Sequence, residues 1–225
     1  EVLLHNTLWG DDRATALKLK FESSRGSSST VYEGDDKCGS HWQSLPVDPS
    51  GRESKQGAKA AFQFSIQANV VYGRNGLSRF AITPKAVTTG GNFGLTNFVM
   101  ALHRAKELGR LQPHVTGLYR HTDGGSDNLA LVTHLFHWLL VYIGVFQSII
   151  WFRFEAGHSH TELADRLFSI LKQIFTTDNS SRVEGVGDFV ELWVKLQDAL
   201  KSTAERNELS WNLGNWDFDT WFADM

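Results

Sequence analysis

The sequence predicts an α/β fold, a mixed β-sheet with helices packed on both of its faces, and two observations lead to it. Residues 61–72 alternate apolar and polar side chains with the two-residue period of a strand, and Asn75-Gly76 signals a hairpin turn into a second strand at 77–82. Further along the chain, short apolar strands alternate with segments of helical periodicity. A hairpin followed by β-α-β units requires a sheet with both antiparallel and parallel pairs.

The predicted elements follow one another in a regular order. Residues 1–29 form a lead-in that ends in a loop rich in Ser and Gly, and the main domain is expected over 30–222, with a helical, Trp-rich tail. The chain begins at Glu1 without a methionine, which is consistent with a fragment of a longer protein. The five predicted strands lie at 30–32, 61–72, 77–82, 115–121 and 148–154. The predicted helices lie at 95–108, 129–143, 161–175 and 189–200. Gly109 and Gly144 are expected to end the first two helices.

The overall charge of the protein does not favour binding to nucleic acid, because the formal net charge of the 225 residues is −3. A DNA-binding role would therefore depend on a local basic patch, and its affinity would fall steeply with salt. The candidates for such a basic face, with an ordinary solvated surface as the alternative, are Arg74, Arg79, Lys85, Arg104, Lys106 and Arg110.

Cysteine content and hydropathy indicate the compartment. Cys38 is the only cysteine, which excludes an internal disulfide framework and favours a reducing, intracellular environment. The most apolar stretch, 129–154, is interrupted by polar residues, whereas a membrane span needs about 20 nearly unbroken apolar residues. We therefore predict a buried helix followed by a buried strand, and no membrane association.

Acidic residues follow three of the predicted strands. Asp36 and Asp123 lie in turns directly after two of them, and the strand at 148–154 leads to Glu162 and Asp165 at the start of a helix. Ligands gather outside strand ends in open sheets of this kind. Carboxylates from separate elements can hold hard divalent cations, and two such ions can promote phosphodiester cleavage. The alternative is that these aspartates are ordinary turn residues.

The histidines admit several interpretations. His158 and His160 alternate, so one is expected to orient the following helix, while the other lies near the acids or contacts a phosphate. A zinc site formed with His121 is the alternative, although no typical zinc-ligand spacing supports it. His134 and His137 share a helix face and are expected to be partly buried and hydrogen-bonded.

An ordered set of motifs resembles a known family. The motifs are Asp36-Lys37-Cys38-Gly39 leading to Pro46, Asp123-Gly124-Gly125-Ser126-Asp127-Asn128, Gly157-His158-Ser159-His160-Thr161-Glu162 leading through Asp165 to Phe168-Ser169, and Trp216-Asp217-Phe218-Asp219-Thr220-Trp221-Phe222. They resemble, in the same order over roughly residues 30–222, the transposase-derived RNase H-like (DDE-type) domains of uncharacterised eukaryotic proteins.

The resemblance implies an RNase H-like fold, with a five-stranded mixed sheet, and metal-dependent cleavage and transfer of DNA strands. It implies that Asp36 and Asp123, with either Glu162 or Asp165 as the third acid, are catalytic and hold Mg²⁺ or Mn²⁺. The residues expected to support this site are Asp35, Asn128, His158 and His160. DNA is then the expected partner and the nucleus the expected location. The alternative is a domesticated domain that has lost catalysis and binds DNA, a protein partner or a second copy of itself.

Overall fold

The computed structural model describes residues 14–23, 25, 28–38, 64–73, 76–84, 90–111, 114–123, 130–154, 168–169, 194, 197–198, 207–211, 214 and 216–224. Its strands are β1 (Ser29–Cys38), β2 (Phe64–Tyr72), β3 (Leu77–Pro84), β4 (Gly117–Asp123), β5 (Ser148–Phe154) and β6 (Asn207–Trp211). Its helices are α1 (14–23), α2 (Gly91–Glu107), α3 (Leu131–Tyr142) and α4 (Phe218–Ala223).

The strands form one mixed sheet in the order β5-β4-β1-β2-β3-β6. β1, β2 and β3 are antiparallel neighbours, whereas β4 and β5 continue the sheet beyond β1 in parallel. This arrangement confirms the predicted α/β class and the order of a hairpin followed by β-α-β units. All five predicted strands are present. β6 is an addition, because this short segment becomes a strand by pairing in parallel with β3.

Two predicted strands were too short. β1 was expected to stop before Asp36, and β4 before Asp123, yet each continues into its acidic segment. The reason is tertiary, because residues 31–38 of β1 all pair with β2 and thereby satisfy their backbone groups. The two aspartates are therefore strand residues and not turn residues.

The predicted helix ends are confirmed at both glycines. Gly109 has φ 64° and Gly144 has φ 76°, the left-handed conformation that glycine adopts without a steric penalty. The amides of Arg110 and Leu111 donate to the Ala105 carbonyl and close the end of α2. α2 begins earlier than expected, at Gly91. The predicted helices at 161–175 and 189–200 lie almost wholly outside the described residues.

The main core lies between the sheet and the helices α2 and α3. Phe98 of α2 is its centre, with its ring edge-on to Tyr32 at 4.7 Å and to Phe136 at 6.5 Å between centroids. The buried cluster comprises Tyr32, Val71, Leu77, Leu95, Phe98, Ala101, Ala105, Leu118, Val132, Phe136, Phe146 and Phe218. The sheet face that carries Tyr32, Val71 and Leu77 is called the α2 face below.

Helix α1 lies across the opposite face of the sheet, called the α1 face. Ser23 Oγ donates to the Tyr72 carbonyl, and Lys20 Nζ lies 5.1 Å from the centroid of the Tyr72 ring. Since Tyr72 alternates with Val71 on β2, its side chain is on the face opposite the main core. The described part of the chain therefore has helices on both faces, as the sequence predicts.

The C-terminal tail packs onto α2 through backbone donors. The amide of Trp216 donates to Thr96 Oγ1 at 3.0 Å, and the amide of Phe218 donates to Asn92 Oδ1 at 3.1 Å. These bonds place the Phe218 ring 5.0 Å from that of Phe136 in the core. A second link joins the neighbouring strand, because Arg104 of α2 makes a bidentate ion pair with Glu208 of β6. No helix among the described residues is long and apolar enough to cross a membrane.

Candidate functional site at the carboxyl edge of the sheet

Several strands end at the same edge of the sheet. β1, β4 and β5 run in parallel, so their carboxyl ends lie at the same edge. β3 is antiparallel to β2 and also ends there, and α2 and α3 are the next described elements after β3 and β4. The partial positive charges of two helix N-termini are therefore directed toward the edge where the acidic motifs lie.

The register of β1 with β4 relates the acidic segment 35–36 of β1 to Asp123 of β4. β1 and β4 pair Tyr32 with Arg120 and Glu33 with His121, where their pairing ends. If the same register is continued by two residues, it sets Asp35 opposite Asp123 on neighbouring strands, and paired strands lie about 4.8 Å apart in a sheet. Asp36 is one position further along β1, so its register position belongs to the opposite face.

The segment that carries the third predicted acid comes next in the sequence after β5. Asp123 pairs with Phe154, the last residue of β5, and Glu162 and Asp165 lie 8 and 11 positions after Phe154 in the sequence. Those two acids lie outside the described residues, as do Asn128, His158 and His160. The structure thus brings together the strand positions of Asp35, Asp36 and Asp123, and the remaining site residues stay predictions.

Beneath this edge lies a layer of buried polar side chains that the sequence reasoning missed. On the α2 face, Asn69 is fully buried and accepts a hydrogen bond from Tyr32 Oη at 2.6 Å. Its cross-strand neighbour Arg79 is buried too, and desolvation lowers the pKa of Arg79. Within the described structure, the buried polar atoms without a hydrogen-bond partner in this layer are Gln67 Oε1, Arg79 Nη1, Thr83 Oγ1 and Asn97 Oδ1.

The two-residue alternation over 61–72 is the sequence signal nearest to this layer. In a strand with that period, Gln67 and Asn69 lie on the polar face, which is usually exposed to solvent. The structure instead buries both faces of β2, because α2 covers the polar one, whereas Ala68 and Val70 on the other are buried as well. Buried polar atoms usually find a partner because leaving one unpaired costs roughly 1–3 kcal/mol. Such a layer therefore lowers the free energy of unfolding.

A second polar group lies deeper in the core. Arg120 is fully buried, and its Nη1 donates to His137 Nε2 at 2.7 Å. Its guanidinium carbon lies 4.7 Å from the centroid of Phe98 and 5.3 Å from that of Trp151. Burial lowers the pKa of Arg120 to about 10, and burial together with the nearby Arg120 charge lowers that of His137 to about 3. His137 is therefore a neutral acceptor.

The expectation that His134 and His137 are partly buried and hydrogen-bonded is confirmed for His137 only. His134 is exposed, with its ring 4.9 Å from that of Trp151. His121 lies on the α1 face beside Phe152, and burial, with a smaller contribution from Lys20, lowers its pKa to about 4. Among the described residues no group of three His, Cys, Asp or Glu is arranged to hold a metal ion.

The prediction of a basic face is wrong for Arg79, which is buried, whereas Arg104 is partly exposed and paired with acids. Arg79 is buried under α2, and Arg104 is engaged by Glu208 and Glu107. Arg110 donates to the Gly76 carbonyl at 3.0 Å. Arg74 and Lys85 lie outside the described residues. Arg104 and Arg110 donate to acceptors of the chain itself, and Arg79 is buried, so these three side chains do not form an open row of cations.

Comparison of the chain with protein-family models, curated proteins and solved structures gave no match. In the part of the chain that the structure describes, the fold is that of an α/β protein with a mixed sheet, parallel connections through α2 and α3, and acidic residues at the carboxyl edge of neighbouring parallel strands.

Proposed function

We propose that this chain is a transposase-derived, RNase H-like domain that cleaves or transfers DNA strands with the help of a divalent metal. The observation that carries the proposal is the parallel register of β1 and β4, which pairs Glu33 with His121 and, continued by two residues, sets Asp35 opposite Asp123, with Asp36 next along β1. Strand positions separated by about 4.8 Å are near enough for two carboxylates to share one cation. The order of sheet elements supports the RNase H-like assignment.

The donor chemistry fits Mg²⁺ or Mn²⁺, because these hard cations prefer carboxylate oxygens. The residues that would hold the metal are Asp123, Asp35 or Asp36, and either Glu162 or Asp165. When bound, the metal supplies positive charge against the phosphate and a more acidic water molecule. β1 and β4 are paired up to Glu33 and His121, two residues before the aspartates, and the N-termini of α2 and α3 favour the approach of an anionic phosphate.

The register changes which aspartate of β1 we favour as the first metal ligand. The sequence reasoning chose Asp36 and gave Asp35 a supporting role. Since the continued register sets Asp35 opposite Asp123, Asp35 is the stronger candidate, and Asp36 takes the supporting role. Asp36 pairs with Gln67, so its register position belongs to the α2 face of the sheet.

The test is nicking of supercoiled plasmid by the full chain in Mg²⁺ or Mn²⁺. Asp123→Ala and Asp35→Ala are expected to abolish nicking, with a smaller loss for Asp36→Ala. Asp224→Ala, an exposed aspartate after α4, is the matched control and should cleave normally. Robust cleavage by Asp123→Ala would reject the site, and a loss confined to Asp36→Ala would reverse the assignment on β1.

A second candidate function is a domesticated module that has kept the fold and binds DNA or a protein without catalysis. The pairing of Arg104 with Glu208 and the burial of Arg79 favour it, because they remove two cations from the predicted DNA-binding face. Salt-dependent DNA binding without cleavage in any divalent metal would support the DNA-binding form. Protein capture without DNA affinity would support an assembly role.

A further inference from the structure

The outward face of α3 carries a continuous apolar stripe. Leu131, Leu135, Trp138 and Tyr142 follow one another at intervals of four, three and four residues, which places them on one side of a helix. Leu131 is 72% exposed, Trp138 59% and Tyr142 73%. The rings of Trp138 and Tyr142 stack in parallel, 5.0 Å between centroids with an interplanar angle of 14°.

The stripe differs from an ordinary helix surface because it carries no charge. The sequence predicted that α3 is a buried helix, but it is buried on its inner side only, through Val132, Phe136 and Leu139. Residues 129–152 contain no Asp, Glu, Lys or Arg. A solvent-facing helix normally presents charged residues on its outer face, and a helix that is apolar all round is normally covered.

The exposed area is near the size that a specific interface needs. Ile143 and Val145, directly after α3, extend the stripe and are also exposed. Taking roughly 200 Å² for a full aromatic side chain and somewhat less for an aliphatic one, the stripe exposes roughly 600–700 Å². The largest apolar patch of a typical monomer is about 300–600 Å². A stable interface buries about 800 Å² on each partner, so this surface nearly suffices for one protein partner.

We propose that α3 forms a two-fold interface with α3 of a second copy of this chain, the two helices packing in opposite directions. The stripe is itself asymmetric, with leucines in its first half and large rings in its second. An antiparallel pairing therefore sets Trp138 and Tyr142 of each copy over Leu131 and Leu135 of the other. A two-fold axis needs such a self-complementary surface.

The chemistry of the stripe favours a second copy over other occupants. An interface through α3 desolvates no Asp, Glu, Lys or Arg side chain, and salt screens the repulsion between two copies of net charge −3. Nucleic acid and anionic lipid surfaces attract cations, and 129–152 contains no Lys or Arg. The interface is formed by the side of α3 that faces away from the sheet. This inference does not depend on the proposed nuclease activity.

The experiment measures the mass of the full chain in solution by light scattering and sedimentation over a concentration series. The wild-type chain is expected to pass from monomer to dimer as its concentration rises. Trp138→Glu and Tyr142→Glu should each weaken the dimer by at least about 30-fold, the loss typical of an interface hot spot. Trp138→Phe, which retains a ring, should keep most of the affinity.

Leu17→Glu is the matched control, because Leu17 is an exposed leucine on α1, across the sheet from α3. It should leave dimerisation unchanged, and circular dichroism checks that each variant is folded. A wild-type chain that stays monomeric at every concentration would overturn the proposal, as would a dimer that persists in both folded glutamate variants. A dimer without DNA cleavage would support the interface while rejecting the proposed catalysis, so the two proposals fail separately.

Discussion

The guanidinium of Arg120 and the imidazole of His137 form a hydrogen bond inside the core, with 2.7 Å between Nη1 and Nε2. Within the described structure, Arg120 Nε has no hydrogen-bond partner. The positive charge is instead surrounded by the rings of Tyr32, Phe98 and Trp151. Cation–π attraction is stronger when the partners are desolvated, so these rings offset part of the cost of burying the charge.

Replacing His137 with alanine is expected to destabilise the fold by about 2–4 kcal/mol. The change removes the acceptor of a buried charged donor and leaves a cavity beside Phe98. His134→Ala, one turn earlier on the exposed side of α3, is the control and should cost less than about 1 kcal/mol. Urea unfolding measures both. Equal losses in the two variants would show that the Arg120 contact contributes little.

Stability is expected to fall as the pH drops below about 6.5, the usual pKa of histidine. Burial lowers the pKa of His121 to about 4 and that of His137 to about 3, so in this range the unfolded chain binds protons that the folded chain does not. Each histidine then reduces the free energy of unfolding by up to about 1.4 kcal/mol per pH unit, until its folded pKa is reached. Above about 6.5 both forms are neutral and this contribution is constant.

Urea unfolding at pH 7, 6 and 5 measures this dependence. His121→Gln and His137→Gln should each reduce the slope by an amount near that of one titrating group, since glutamine does not titrate. His103→Gln, at an exposed position on α2, is the matched control. If neither His121→Gln nor His137→Gln changes the slope, the pH dependence of stability does not come from these two histidines.

Phe218→Ala is expected to destabilise the protein by about 3–5 kcal/mol, although the residue lies in the C-terminal tail. Phe218 is only 7% exposed and its ring packs against that of Phe136 in the core. Trp221→Ala removes a larger side chain from the same helix, but Trp221 is 47% exposed and should cost about 1 kcal/mol or less. The denaturation midpoints of the two variants, compared with that of the wild type, test this difference. A greater loss at Trp221 would mean that the tail is held by its tryptophans.

The sequence by itself determined the features that depend on local chemistry. Alternation over 61–72 predicted β2, and the turn after it predicted the hairpin to β3, because side-chain period and turn preference act within a few residues. Gly109 and Gly144 ended their helices as expected, since the left-handed conformation is a property of the glycine itself. The order of strands and helices followed from these signals.

Only the tertiary structure decided the features that depend on distant partners. β1 continues through Asp35 and Asp36 because β2 supplies the hydrogen bonds, and β6 exists because β3 offers an edge. Gln67 and Arg120 look like surface residues in the sequence but are buried, since α2 covers one and the aromatic core encloses the other. Which of the two neighbouring acids the register sets opposite Asp123 depends on the pairing of β1 with β4, whose partners Glu33 and His121 are 88 residues apart, and not on local preference.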